Sequence, residues 1–261
     1  MASVQFVDLA EFGLHLLTPA DEGFADLARA ISMEADLSRS AVLVNDSGQA
    51  VVALGRVWRY TTKEGKTLTS RQENFGSSMQ MDVLSGRAKV VADRASFLLA
   101  GSKRLITEEG MLGDNTDVLR VPPPVGGYCW TGGGMRGRDR QREDVVAVAL
   151  HLDYAFLEDG LCVGPDEAGR FTEITESMAE QRRVAGEIIA VLDRGGTRGA
   201  AFDILQPMAQ EGPGFRASPM FAQMGIGQLT RSEPGELRAW FAAVASSPGL
   251  ALRRPATSSP K

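Results

Sequence analysis

The sequence predicts an α+β, mainly β fold: an immunoglobulin-like β-sandwich with an N-terminal helix and a helical C-terminal part. Three observations lead to it. Between residues 40 and 121, short apolar stretches alternate with period two and are separated by Gly, Asn and Asp turns, the pattern of sandwich strands. Residues 145–157 keep one uninterrupted apolar face. From Phe171 onward, apolar residues recur at helical spacing instead.

Taken in order, the first element is a helix over 19–33. Thr18 suits a helix cap, Pro19 the first helical position, and Asp21 and Glu22 the positive end of the helix dipole. Phe24, Leu27, Ala28 and Ile31 form its apolar stripe. The apolar run 41–44 then turns at Asn45-Asp46-Ser47-Gly48 into a long strand over 50–61, with Val52, Leu54, Trp58 and Tyr60 on one face. Lys63-Glu64-Gly65-Lys66 turns into a strand over 67–73. Further strands are expected at 79–84, 88–91, 96–99, 103–107 and 117–121.

Pro122-Pro123-Pro124 opens a Gly-rich, charged stretch that reads as a long loop over 122–144. In the strand that follows, Val146, Val148, Leu150, Leu152, Tyr154 and Phe156 share a face. Asp159-Gly160 is a two-residue hairpin turn, because both positions tolerate positive φ. The chain should return through Leu161, Cys162 and Val163.

Asp166 and Glu167 then stand where negative charge favours a helix start. Phe171, Ile174, Met178, Ala185, Ile188, Ile189 and Leu192 make the stripe, and Gly195-Gly196 the stop. A short helix over 200–205 should end before Pro207, residues 212–229 read as irregular, and 233–245 as a helix with Leu237, Trp240, Phe241 and Val244 inside. The implied organisation is an N-terminal segment 1–39, a β-sandwich domain 40–166, a helical part 167–246 and a flexible tail 247–261.

Bulk properties exclude several classes. An apolar fraction of 43% and a charged fraction of 23% are those of a globular chain, which argues against wholesale disorder. A net charge of -5 makes nucleic acid an unlikely partner, since such binding releases counterions from a basic surface. The first residues lack a basic region ahead of an apolar run, and no stretch is long and apolar enough for a membrane span, so a cytoplasmic protein is expected. Cys129 and Cys162 have no CxxC spacing, which leaves open only whether they pair with each other.

Motifs for chemistry are sparse. Gly132 to Gly137 formally fits G-x-G-x-x-G, but RDRQRED follows in place of an apolar helix, so no nucleotide cofactor is expected. In FLEDGLCVGPDEAGRF, Leu161, Cys162 and Val163 occupy positions where a calcium loop needs oxygen ligands, so its acids read as turn and helix-start residues and no metal is expected. His151 and Asp153 lie on one strand face and would be the catalytic pair of an enzyme, although no G-x-S-x-G supplies a nucleophile.

Tyr128, Trp130, Arg136, Arg138, Arg140 and Arg142 fall in the 122–144 loop. The two rings either plug the end of the sandwich or anchor a partner, and the four guanidinium groups are either simply solvated or face one side to meet phosphates or a partner's carboxylates. The function expected is therefore a non-enzymatic binding or assembly module, with that loop meeting a protein partner or another copy of the chain. The alternative is a hydrolase or transferase using His151 and Asp153.

The runs AVLVNDSGQAVVALGRVWRYTTKEGKT, FLLAGSKRLIT and LDYAFLEDGLCVGPDEAGRF resemble uncharacterised bacterial proteins of Acidobacteria type. In these, too, an Asp-Gly turn precedes Val-Gly-Pro-Asp and a helix. The resemblance spans residues 40–192 and implies an immunoglobulin-like or related sandwich joined to helices, with no established activity.

Overall fold

The computed structural model describes residues 3–31, 37–75, 78–91, 96–108, 111–112, 145–210, 217–247, 249 and 251–255. The chain divides into two compact units, one of Met1–Ser77, Val90–Ala168 and Arg254–Lys261, the other of Ser78–Lys89 and Gly169–Arg253.

The first unit holds two sheets. β1 (Ser3–Val7), β8 (Val145–Leu157), β4 (Val51–Thr62) and β5 (Thr67–Asn74) follow one another in sheet A, with β9 (Cys162–Val163) hairpinned on β8. Sheet B runs β2 (Leu14–Leu17), β3 (Ala41–Asn45), β6 (Lys103–Ile106), β7 (Met111–Leu112). Leu54, Trp58, Leu150 and Leu152 of sheet A share one apolar core with Leu14, Leu16, Leu43 and Ile106 of sheet B. On the other face of sheet B, Val42, Val44 and Leu105 pack with Phe24 and Ala28 of helix α1 (Phe24–Ile31). This double cover explains why all five residues of β3 are buried.

These strands do not make an immunoglobulin-like sandwich, and the mainly β expectation is corrected as well: helices and strands contribute about equally. Immunoglobulin sheets are antiparallel, whereas β1 runs parallel to β8, with Val4 opposite Val148 and Phe6 opposite Leu150. Residues 79–84, expected as a strand, lie in helix α2 (Ser78–Leu84). Residues 88–91 form no strand, and 96–99 contribute one bridge, Leu98 to Val51. The N-terminal residues add two strands that the sequence reading did not foresee. The strand expected at 117–121 lies outside the described residues.

Local chemistry explains the turns. The buried Asn45 side chain donates to the Leu98 carbonyl at 2.9 Å and accepts from the Ser47 N–H at 3.1 Å, fixing the turn between β3 and β4. Helix α1 begins at Phe24 and not at Pro19, because Gly23 is left-handed at φ 78° and Thr18 closes a tight turn on the Asp21 carboxylate at 2.6 Å. At Gly55, a Cβ would stand 2.1 Å from Cε1 of Tyr154, so only glycine lets that ring lie flat on β4.

The second unit is helical, with α2, α3 (Arg170–Asp193), α4 (Arg198–Ala209), α5 (Ala217–Arg231) and α6 (Pro234–Ala245). Ala185, Ile188, Leu205, Phe221, Leu237 and Phe241 form its core, and Trp240 stacks on Phe221 with ring centroids 5.6 Å apart. Residues 217–229 are helical where an irregular stretch was expected. Gly225 sits where a Cβ would reach Leu205 at 2.9 Å, so in this helix glycine serves close packing, which outweighs its low helix propensity. Arg198 donates to the carbonyls of Leu229 and Ser232 at the end of α5. Helix α4 continues through Pro207 to Ala209, although Pro207 has no N–H to donate to the Asp203 carbonyl, and Met208 beyond it is buried. No described helix is long and apolar enough to cross a membrane.

Candidate functional site

Tyr128, Trp130, Arg136, Arg138, Arg140 and Arg142, together with the rest of the 122–144 loop, lie outside the described residues. His151 and Asp153 are both placed, on β8 and on the face of sheet A away from the shared core. In the register of the sheet, His151 is flanked by Val7 on β1 and Val57 on β4, and Val57 in turn by Arg71 on β5. Arg59 follows two residues along β4, opposite Ala149 and Thr69. Sheet pairing thus gathers one histidine and two arginines from three strands.

The acids reach this face from the end of the β8–β9 hairpin. After Cys162 and Val163 the chain bends at Gly164, where a φ of 96° and the 2.6 Å that would separate a Cβ from the Asp153 carbonyl oxygen exclude any other residue without strain. Asp166 adopts a left-handed conformation at φ 52° and donates its N–H to the same carbonyl at 2.8 Å. The Asp153 carboxylate accepts from the N–H of Glu167 at 2.8 Å and from that of Ala168 at 3.3 Å. Its side chain is 4% exposed, and Arg71 stands 3.6 Å from it. Asp153 is therefore a brace that holds the turn 166–168 against β8.

Glu167 forms a bidentate pair with the guanidinium of Arg59 at 2.6 Å and lies 3.7 Å from Arg71. The Arg59 hydrogen bonds hold its carboxyl below the usual range, against the opposing effect of burial. His151 is also pulled below its ordinary value, first by burial and then by the Arg59 charge, with Glu167 and Asp153 acting the other way. The cluster is formally neutral, two arginines against Asp153 and Glu167, with an uncharged imidazole beside them.

Asp166 turns its carboxylate, 3% exposed, to Arg254, 2.8 Å away. The acids of the hairpin were expected to serve a helix start, but α3 begins at Arg170 with Gly169 as its cap, and both acids pair with arginines instead. Beside them, Cys162 is a buried free thiol. Burial, followed by the Asp166 charge, pushes it up to about 12, which leaves it a protonated, unreactive side chain.

Among the described residues no hydroxyl or thiol is hydrogen-bonded to His151, and no group of three His, Cys, Asp or Glu side chains is placed to hold a metal ion. Arg59, Arg71 and Arg254 escaped the sequence reading. The one available signal was that Arg59 and Arg71 alternate with inward residues such as Trp58 on their strands. No protein-family model, no characterised protein and no solved structure matches this chain.

Proposed function

We propose that the protein acts by binding, as a recognition or assembly module, with residues 122–144 as its contact element for another protein. The observation that carries this reading is the commitment of Asp153. Both of its oxygens are engaged by backbone N–H groups, so the carboxylate that a His151 base would need for orientation is occupied in holding a turn. The Arg59–Glu167 pair likewise cancels its own charge. The residue types left for recognition are the aromatic rings of Tyr128 and Trp130 and the four guanidinium groups at 136, 138, 140 and 142.

The test is deletion of residues 126–137 in the full chain, followed by quantitative comparison of proteins cross-linked to wild type and to the deletion in cells. A partner lost selectively, with an unchanged melting temperature, supports the reading. An identical set of cross-linked proteins overturns it.

A further inference from the structure

The first unit ends on a contact that joins its last segment to its sheet. Arg254, the first residue of that segment, donates from Nη2 to Oδ2 of Asp166 at 2.8 Å, across 88 residues of chain. Cys162 belongs to the same unit.

The two partners are unlike. Asp166 is almost wholly buried, and among the described residues it is the only one besides glycines at positive φ. Such a conformation persists where the surroundings enforce it. Here the enforcement is the Asp166 N–H bond to the Asp153 carbonyl and the bend at Gly164, so sheet A and its hairpin fix the carboxylate from behind. Arg254, by contrast, lies in no helix or strand, and its side chain is 42% exposed. The acid is thus built into the fold, whereas the guanidinium is delivered by one peripheral side chain.

The chemistry of the acid side selects its ligand. A carboxylate withdrawn from water needs a cation beside it. Burial and then the Asp166 charge raise the Cys162 thiol, while Arg254 acts the other way through its charge and a hydrogen bond. One guanidinium therefore serves an oxygen and a sulfur together, a task for a planar fork of N–H donors that the point charge of an ammonium performs less well.

We propose that Asp166 and Cys162 form an arginine-binding site, which Arg254 fills from within the chain and which an arginine-bearing peptide fills when Arg254 withdraws. Arg254 then acts as the chain's own competitor for that peptide.

The experiment is thermal unfolding of the full chain as wild type, R254A and D166N/R254A. Each is measured with the acetylated, amidated peptide Leu-Arg-Arg-Pro, the sequence of residues 252–255, and with the same peptide carrying citrulline at its second arginine. R254A should melt ~3–6 °C below wild type, because it leaves the carboxylate unpaired. The arginine peptide should restore a saturable ~3–5 °C at about ten times its dissociation constant, and the citrulline peptide none. Wild type, whose site is filled, and D166N/R254A, which lacks the acid, should not respond. If R254A fails to fold, R254K, which keeps the charge without the fork, carries the same comparison. A folded R254A that melts with wild type or ignores the arginine peptide overturns the proposal. So does an equal response to the citrulline peptide, or an equal response in wild type or D166N/R254A.

Discussion

Removing the Asp153 carboxylate tests the assignment of that residue to architecture. In D153A the N–H groups of Glu167 and Ala168 lose acceptors at 2.8 and 3.3 Å, in a region only partly open to water. A buried donor left unmatched costs ~1–3 kcal/mol, and the longer bond belongs at the lower end, which gives ~2–4 kcal/mol for the two. Loss of the Arg71 contact adds little, because Arg71 is 41% exposed and the separation is 3.6 Å.

D153N keeps one acceptor for the Glu167 N–H but turns an amide donor towards Ala168 and Arg71, so about half the cost should remain, ~1–2 kcal/mol. Urea unfolding of wild type, D153N, D153A and H151A gives the four stabilities. The expected order of loss is D153A, D153N, then H151A. If D153A lies within ~0.5 kcal/mol of wild type, the ordinary range for a surface change, the bracing role is wrong.

Three further outcomes are expected. G55A must push a Cβ into the ring of Tyr154, 2.1 Å away in a fully buried layer, and should cost ~1–3 kcal/mol or prevent folding; a melting temperature equal to wild type would show that the ring has room to move. In a C129S background, Cys162 should resist a thiol-disulfide reagent at pH 8 and react fully in urea, because burial holds the thiol at about 12; rapid labelling of the native protein contradicts this. His151 has a folded value below its unfolded one near 6.5, so the unfolded chain takes up the proton first. Its stabilising effect is therefore complete above that pH and is lost as pH falls through the lower folded value, and H151Q should flatten the stability profile below about pH 6.5.

The parts legible in the sequence are those that the chain decides among near neighbours. The hairpin turn at Asp159-Gly160, the long apolar face of β8, the stripe of α3 and its Gly195-Gly196 stop, and the proline-started α6 all depend on residues within a few positions of one another. That turn nevertheless closes over three residues, with the Leu157 N–H donating to the Leu161 carbonyl, and has only Gly160 and not Asp159 at positive φ. Where two local signals competed, tertiary packing chose: Gly225 joined a helix because Leu205 needed the space, and residues 79–84 became helix although they read as a strand.

Nothing local determines which strands become neighbours. The period of β8 shows that it buries one face, but it is silent on which strands pair with it, and in which direction, so a parallel pair with the unforeseen β1 was invisible and a sandwich was expected. The same limit governs the polar cluster. Arg59 and Glu167 are 108 residues apart and Asp166 and Arg254 are 88 apart, and each arginine read alone is an ordinary solvated charge. The sequence by itself determined the local elements and the turns that separate them. Only the closed structure decided the partners, because strand pairing and charge neutralisation are settled among groups that folding brings together.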